Sequence, residues 1–155
     1  MQLVAREIGQ TYFRQMTREL LGRYPSFFIA VVDWFRVLDP KEYFVEPGDH
    51  ADEMETSVML HIAPDLVRPL SEAGSGLSRP FRIQALQEGW AWTQREWTKA
   101  TVDTGVGNPR YATAEKGGAY LDAVSKKIAS FLIELDRCSP DDLYDTDSRS
   151  VENIE

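Results

Sequence analysis

Apolar residues along this chain change their period several times. Phe13, Met16, Leu20 and Tyr24 recur at three- and four-residue intervals, which predicts an amphipathic helix from Thr11 to Tyr24, stopped by Pro25. The next run, Phe27-Phe28-Ile29-Ala30-Val31-Val32, is apolar at every position. A strand that is apolar on both faces belongs inside a parallel sheet covered by helices. Asp33 and Trp34 then fall at its C-terminal end, where open α/β sheets place their ligands. Leu3 to Ala5 is a shorter run that reads as a buried strand.

Pro47-Gly48 marks a turn. From Glu53 to Ala63, Met54, Val58, Met59 and Ile62 share one side of a predicted helix, and Pro64 ends it or opens a new turn. Gly74 and Gly76 predict a mobile loop. Phe81, Ile83 and Ala85 alternate with Arg82 and Gln84, the pattern of a strand. No period assigns the stretch holding Trp90, Trp92 and Trp97. Gly105-Val106-Gly107-Asn108-Pro109 is a loop. The longest element spans Thr113 to Arg137, with Tyr120, Val124, Ile128, Phe131 and Leu135 as its apolar stripe. After Ser139-Pro140 the chain is acidic and polar, so residues 138–155 are expected to form a flexible tail on a single domain of residues 1–137. Alternating strands and helices predict an α/β layered domain.

Composition narrows the function classes. A chain of 155 residues with 43% apolar content can bury one real core. A formal charge of −8 argues against nucleic acid or an anionic membrane as the main partner, because both require clustered Lys and Arg. The single cysteine, Cys138, rules out an internal disulfide and a Cys-based zinc cage. No apolar run approaches the length of a membrane span, and the first residues lack the basic leader and apolar core of a signal peptide. A cytoplasmic location is the default expectation.

Candidate chemistry concentrates between Glu46 and Ser57. Glu46, Asp49, Asp52, Glu53 and Glu55 surround one histidine, His50. Asp52 and Glu55 have the D-x-x-E spacing of a helix capping box, and acidic residues in a first turn also face the positive end of the helix dipole. The same residues can serve chemistry. A histidine beside carboxylates can donate a proton to a leaving group, and a carboxylate can bind a divalent metal or orient its water. Glu53 and Glu55 point about 200° apart around the helix axis, so at most one of them faces a given site. Spacing leaves both readings open.

The stretch "DHADEMETSVMLHIAPDLV" resembles the signature of the creatininase family, H-A-G-E-x-E-T-S followed by a helix and a P-x-L-V ending. His50, Ala51, Glu53, Glu55, Thr56 and Ser57 fit, with Asp52 in place of the glycine; "VVDWF" and "TAEKG" flank it in the expected order. The resemblance runs from about Leu3 to Leu135 and covers the C-terminal half of a family member. It implies a three-layer α/β/α sandwich, here truncated on its N-terminal side, and a metal-dependent hydrolase of amide or cyclic-amide C–N bonds, often a homo-oligomer. It assigns His50 to acid/base catalysis, Glu55 to catalysis at or beside a Zn or Mn centre, and Trp34 to the substrate pocket. Trp34 reads equally as a packed aromatic at a strand end.

The departures from the pattern matter as much. Family members carry further metal ligands in an N-terminal half, and an N-G-H-G-G-N-like loop before the first helix. Counted back without gaps from Phe13, that loop falls on Arg6 to Thr11, and its metal-binding histidine becomes Ile8, which cannot ligate. His61 lies mid-helix, where it packs or faces solvent. Asp49, His50 and Glu55 are the remaining local ligand candidates, so metal binding is expected to be absent or weak. Two functions follow. One is a split hydrolase that acts on a small amide only with a complementing chain. The other is a non-catalytic binding or assembly module that retains the second half of the fold.

Overall fold

The computed structural model describes residues 5–139, 143 and 144, with side chains from residue 13 onward. Five α-helices occur among them: α1 (Ala5–Arg23), α2 (Glu53–Ile62), α3 (Gln84–Gln87), α4 (Trp97–Ala100) and α5 (Ala114–Arg137). Single 3-10 turns, such as Trp34–Arg36 and Pro40–Glu42, punctuate the connections.

The core is the seam between α2 and α5. Both helices begin on a side-chain cap: Asp52 accepts the Glu55 N–H at 2.8 Å, and Thr113 accepts the Lys116 N–H at 3.3 Å. Each cap satisfies a backbone donor that has no partner inside its helix. Met54 and Val58, four residues apart, bury one face of α2 against Tyr120 and Val124, four residues apart on α5. Close approach is possible because Gly117 carries no Cβ; a methyl there would collide with the Ser57 carbonyl. Ser57 adds a cross-link by accepting the Thr113 N–H at 3.1 Å. Tyr120 is fully buried, with the rings of Tyr43 and Phe44 edge-on to it at 5.2 Å each. Burying each such large side chain contributes roughly 1.5–3 kcal/mol.

Along α5 the predicted stripe is covered unevenly. Tyr120 and Val124 are buried and Ile128 packs on the core, whereas the neighbouring Leu132 and Ile133 are exposed. At the other end of the chain, α1 begins at Ala5, six residues before the predicted start, because Ala5, Arg6 and Glu7 are good helix formers. It therefore takes in Ala5, while Leu3 and Val4 of the expected first strand lie outside the described residues. Most of the acidic tail lies outside them too.

The expected sheet does not form among the described residues. Their β pairings are two isolated antiparallel bridges, His50 with Val106 and Ser78 with Thr101. Phe27 to Val32, predicted as a buried strand, is irregular, and Phe27, Phe28, Val31 and Val32 are exposed. A strand exists only as a pair, and no described segment offers this one a partner. Phe81 to Ala85, the other predicted strand, instead runs through a bend into α3. There the Gln87 amide donates back to the Phe81 carbonyl, closing a local turn. The loop around Gly76 is pinned: its N–H bonds Asp103 at 3.1 Å, and its carbonyl accepts the Gly107 N–H at 3.0 Å. Among the described residues, no helix is long and apolar enough to cross a membrane.

Candidate functional site

The acidic stretch first organises its own loop. Asp52 and Glu53 are fully buried and Glu55 nearly so, at 5% exposure. Buried carboxylates are tolerated only when hydrogen-bonded or paired, and each of these closes on backbone upstream of α2. Glu53 accepts the Glu46 N–H at 2.7 Å, Asp52 the Gly48 N–H at 2.6 Å, and Glu55 the Ala51 N–H at 2.8 Å. The other Glu53 oxygen receives Lys116 of α5 at 2.6 Å. Among the described residues, no buried side-chain polar atom lacks a partner. The D-x-x-E spacing is thus a helix cap, but Glu55 reaches past the cap residue to Ala51.

His50 is held on the far side of this loop. Its N–H and carbonyl pair with Val106, at 3.0 and 2.8 Å. Ala51 then adopts a φ of +50°, a left-handed conformation that turns the chain from the bridge into the cap. Gly48 and Gly107 let the two loops touch: a Cβ on Gly107 would lie 2.6 Å from the Asp52 Cβ, and one on Gly48 would lie 2.5 Å from the Val106 carbonyl. The His50 Nδ1 stands 4.0 Å from the Glu55 Oε2, within ion-pair range but longer than a hydrogen bond.

Trp97 completes the group. Its ring centroid is 5.0 Å from that of His50, and the Arg95 guanidinium lies 4.8 Å over it. Arg95 also pairs with Asp49 at 2.6 Å. Asp49 and Arg95 belong at the same time to the wall of an open cleft of 1320 Å³, which Phe81, Arg82 and Trp92 also line. His50 and Glu55 therefore come together, as their sequence proximity suggests, while Asp49 turns to Arg95. Trp34 goes elsewhere: its ring contacts are Phe35 and Tyr120, at 6.1 and 6.2 Å. Trp97, Arg95 and Lys116 were not singled out from sequence. The quoted "TAEKG" contained Lys116, and nothing local marked Trp97 as a neighbour of a histidine 47 residues earlier. Ile8, at the position aligned with a ligating histidine, lies in the backbone of α1. His61 is exposed on α2, with its ring over Gly118.

Metal chemistry finds no self-sufficient site in these residues. Among the described residues, no group of three or more His, Cys, Asp or Glu side chains is placed to hold a metal ion. Glu55, the expected ligand, already serves Ala51 and faces His50. What the arrangement can do is proton transfer. It holds an imidazole by its backbone, backs it with a carboxylate and sets it against a tilted indole, the parts that fix a histidine's orientation for acid/base work.

The buried acidic loop thus presents His50, with Glu55 behind it, just ahead of α2. The chain belongs to the creatininase family (creatinine amidohydrolase), which it matches over residues 1–132. The family is generally metal-dependent. The fold also matches the 2.11 Å crystal structure of a Bacteroides fragilis NCTC 9343 protein provisionally named a creatinine amidohydrolase, with 49% identity and a TM-score of 0.76. That match covers 86% of this chain and 51% of the Bacteroides chain, so this chain spans about half the length of the structure it resembles. No curated protein matches.

Proposed function

We propose that this chain carries one wall of an amidohydrolase site that cleaves the C–N bond of an amide or cyclic amide, with His50 as the proton-transfer group. The observation that carries it is the placement of His50, 4.0 Å from the Glu55 carboxylate and in tilted ring contact with Trp97. In hydrolysis, water adds its oxygen to the carbonyl carbon, the C–N bond breaks, and the leaving nitrogen takes a proton. His50 takes up the proton that the water releases on addition and returns it to the leaving nitrogen, and Glu55 steadies the imidazolium that exists between the two transfers. The contact with His50 favours Trp97 over Trp34 as the indole that borders the substrate.

The Zn or Mn ion expected for the family is held, in this reading, by ligands beyond the described residues, with Glu55 contributing at most one. The chain alone is then inactive, and the substrate is a small amide bound in the completed cleft. The sandwich, with residues 1–137 as its part of the domain, is likewise completed by polypeptide outside this sequence.

A second reading rests on the carboxylates. Asp52, Glu53 and Glu55 each satisfy a loop N–H, which favours a non-catalytic module whose acidic signature persists as a folding device. Coexpression with the part of the Bacteroides protein that this chain does not cover, followed by a creatinine hydrolysis assay, separates the two. The first reading expects turnover, and expects His50→Asn to lower it by about 10²–10⁴-fold, the usual weight of a general acid. Glu55→Gln should also abolish it while leaving the helices intact. Full activity in His50→Asn would sink His50's role, and an assembled complex that fails to hydrolyse creatinine and related cyclic amides would leave the second reading standing.

A further inference from the structure

The cleft beside the His50 site has a charge opposite to that of the chain around it. The sequence holds 25 Asp and Glu against 17 Lys and Arg. The cleft wall reverses that balance, with Arg36, Arg79, Arg82, Arg95 and Lys99 against Asp49 and Glu96. Both carboxylates are engaged by cations of the same wall, Asp49 by Arg95 and Glu96 by Lys99, each at 2.6 Å. Arg36 stands 4.0 Å from Asp33. Among the described residues, no carboxylate pairs with Arg79 or Arg82. Two guanidiniums without counter-charge in one concave wall gain from an anion between the walls. The fold also holds them in place. The Arg79 N–H bonds the Ala100 carbonyl at 2.7 Å, and its Nη1 donates to the carbonyls of Lys99 and Thr101, at 3.1 Å each. Those acceptors are neutral, so they orient the guanidinium without cancelling its charge, and they leave its other nitrogens as donors. Arg82 follows Phe81, whose carbonyl accepts the Gln87 amide in a local turn. Phe81 and Trp92 add aromatic surface to the same wall.

We propose that this cleft takes a small ligand bearing a carboxylate or phosphate, with Arg79 and Arg82 holding the oxyanion and Phe81 and Trp92 bordering the rest of the molecule. A guanidinium matches a planar or tetrahedral oxyanion with paired N–H donors, and a donor already held in place costs little ordering when the ligand binds. The site is beside the proton-transfer group and not on it. The cleft reaches His50 through Asp49, its chain neighbour, and through Arg95, which lies over the Trp97 ring that His50 also touches. Taken with the amide reading of His50, on which the substrate class rests, the substrate is an anionic amide and not a neutral one. A small ligand fits better than a long polyanion. The cleft volume of 1320 Å³ is of the order of a small-molecule site, typically about 300–1,000 Å³. Beyond the cleft, a chain of net charge −8 repels a polyanion.

The test is titration calorimetry of the full 155-residue chain at low ionic strength with three probes. Hippurate and its neutral primary amide, hippuramide, share a benzoyl ring and an amide bond and differ in charge; inorganic phosphate supplies the other oxyanion. At least one of hippurate and phosphate should bind saturably, and at least about tenfold more tightly than hippuramide, the weight of one charge-assisted hydrogen bond. The tighter of the two identifies the oxyanion as carboxylate or phosphate. Arg82→Gln should weaken that binding by about tenfold or more and leave the helical melting unchanged, because Arg82 is exposed. Arg68→Gln removes an exposed arginine that pairs with Glu72 and lies outside the cleft wall, so it should change binding by less than about twofold. The proposal is overturned if neither anion binds, if hippuramide binds as tightly as the better anion, or if Arg82→Gln binds undiminished. It is equally overturned if Arg68→Gln weakens binding as much as Arg82→Gln, which would mean attraction to charge anywhere on the surface. An oligonucleotide that binds more tightly than either probe and is weakened by Arg82→Gln would make the cleft part of a polyanion surface instead. No readout requires turnover. Anion binding with no hydrolysis in the assembled complex would refute the role of His50 and leave this site intact, and hydrolysis with no anion binding would do the reverse.

Discussion

The α2–α5 seam and the segment Phe27–Val32 have similar apolar character and opposite fates. Met54 is 1% exposed, while Phe27 is 63% exposed. What separates them is the location of the partner. A helix makes its own backbone hydrogen bonds, so α2 and α5 need only a face to pack against, and each is that face for the other. A strand borrows every backbone partner from a neighbour. Phe27–Val32 has apolar side chains enough for a core, but no described segment supplies the neighbour. Apolar content measures what a segment would gain from burial, whereas topology decides whether it is buried.

If that contrast is right, the largest stability losses come from the seam. Tyr120→Ala should destabilise the isolated chain by about 3–5 kcal/mol, the range for emptying a buried aromatic site. For a domain of this size, that lowers the thermal midpoint by roughly 10 °C, measurable by the helical circular dichroism signal. A loss under about 1 kcal/mol would mean that the seam is not the core.

Adjacent glycines on α5 sharpen the same point. Gly117→Ala drives a methyl into the Ser57 carbonyl, which belongs to helix backbone and cannot swing aside, so it should cost about 1–3 kcal/mol. Gly118→Ala meets the ring of His61 at 2.9 Å, the movable end of an exposed side chain. It should be neutral or stabilising by up to about 1 kcal/mol, as alanine is the better helix former. Equal melting shifts in the two variants would show that helix approach is not limited at Gly117.

The same distinction explains what the sequence made legible. Helices α2 and α5 were readable because their period and caps are local: Asp52 and Thr113 each cap the helix that follows them. The buried role of Glu53 was not readable, because its cation, Lys116, lies 63 residues away. Trp97 was missed for the same reason, standing beside His50 through folding and not through spacing. Trp34 was noticed because it follows the apolar run, yet its ring turned inward to Tyr120. The strands were the least legible elements as folded objects. Their side-chain pattern was present at Phe27–Val32, but pairing is a property of two segments, and no described segment pairs with this one.

Within the acidic loop, Asp52→Ala should cost about 0.5–2 kcal/mol, the usual range for losing an N-cap, and should fall toward the upper end. The reason is that one side chain serves two donors, the Glu55 N–H and the Gly48 N–H. Asp52→Asn separates cap from charge: its single carbonyl oxygen can keep one of the two bonds, so the loss should be about half as large. If the alanine and asparagine variants melt together, the bond that asparagine keeps contributes nothing.

The smallest expected effect is the most informative about the exposed region. Phe28→Ser removes a large apolar side chain, which would cost several kcal/mol if that side chain were buried. In the isolated chain it is 49% exposed and its neighbours are exposed as well, so the substitution should change stability by no more than about 0.5 kcal/mol. It should also improve solubility, because it interrupts an exposed apolar run next to unpaired backbone. Thermal melting over a range of protein concentrations checks both claims, since burial by self-association would make the midpoint of the parent rise with concentration. A loss above about 1 kcal/mol that disappears on dilution would show Phe28 buried against another copy. The same loss at every concentration would place its partner inside the chain, and the contrast between a covered seam and an uncovered strand would fail.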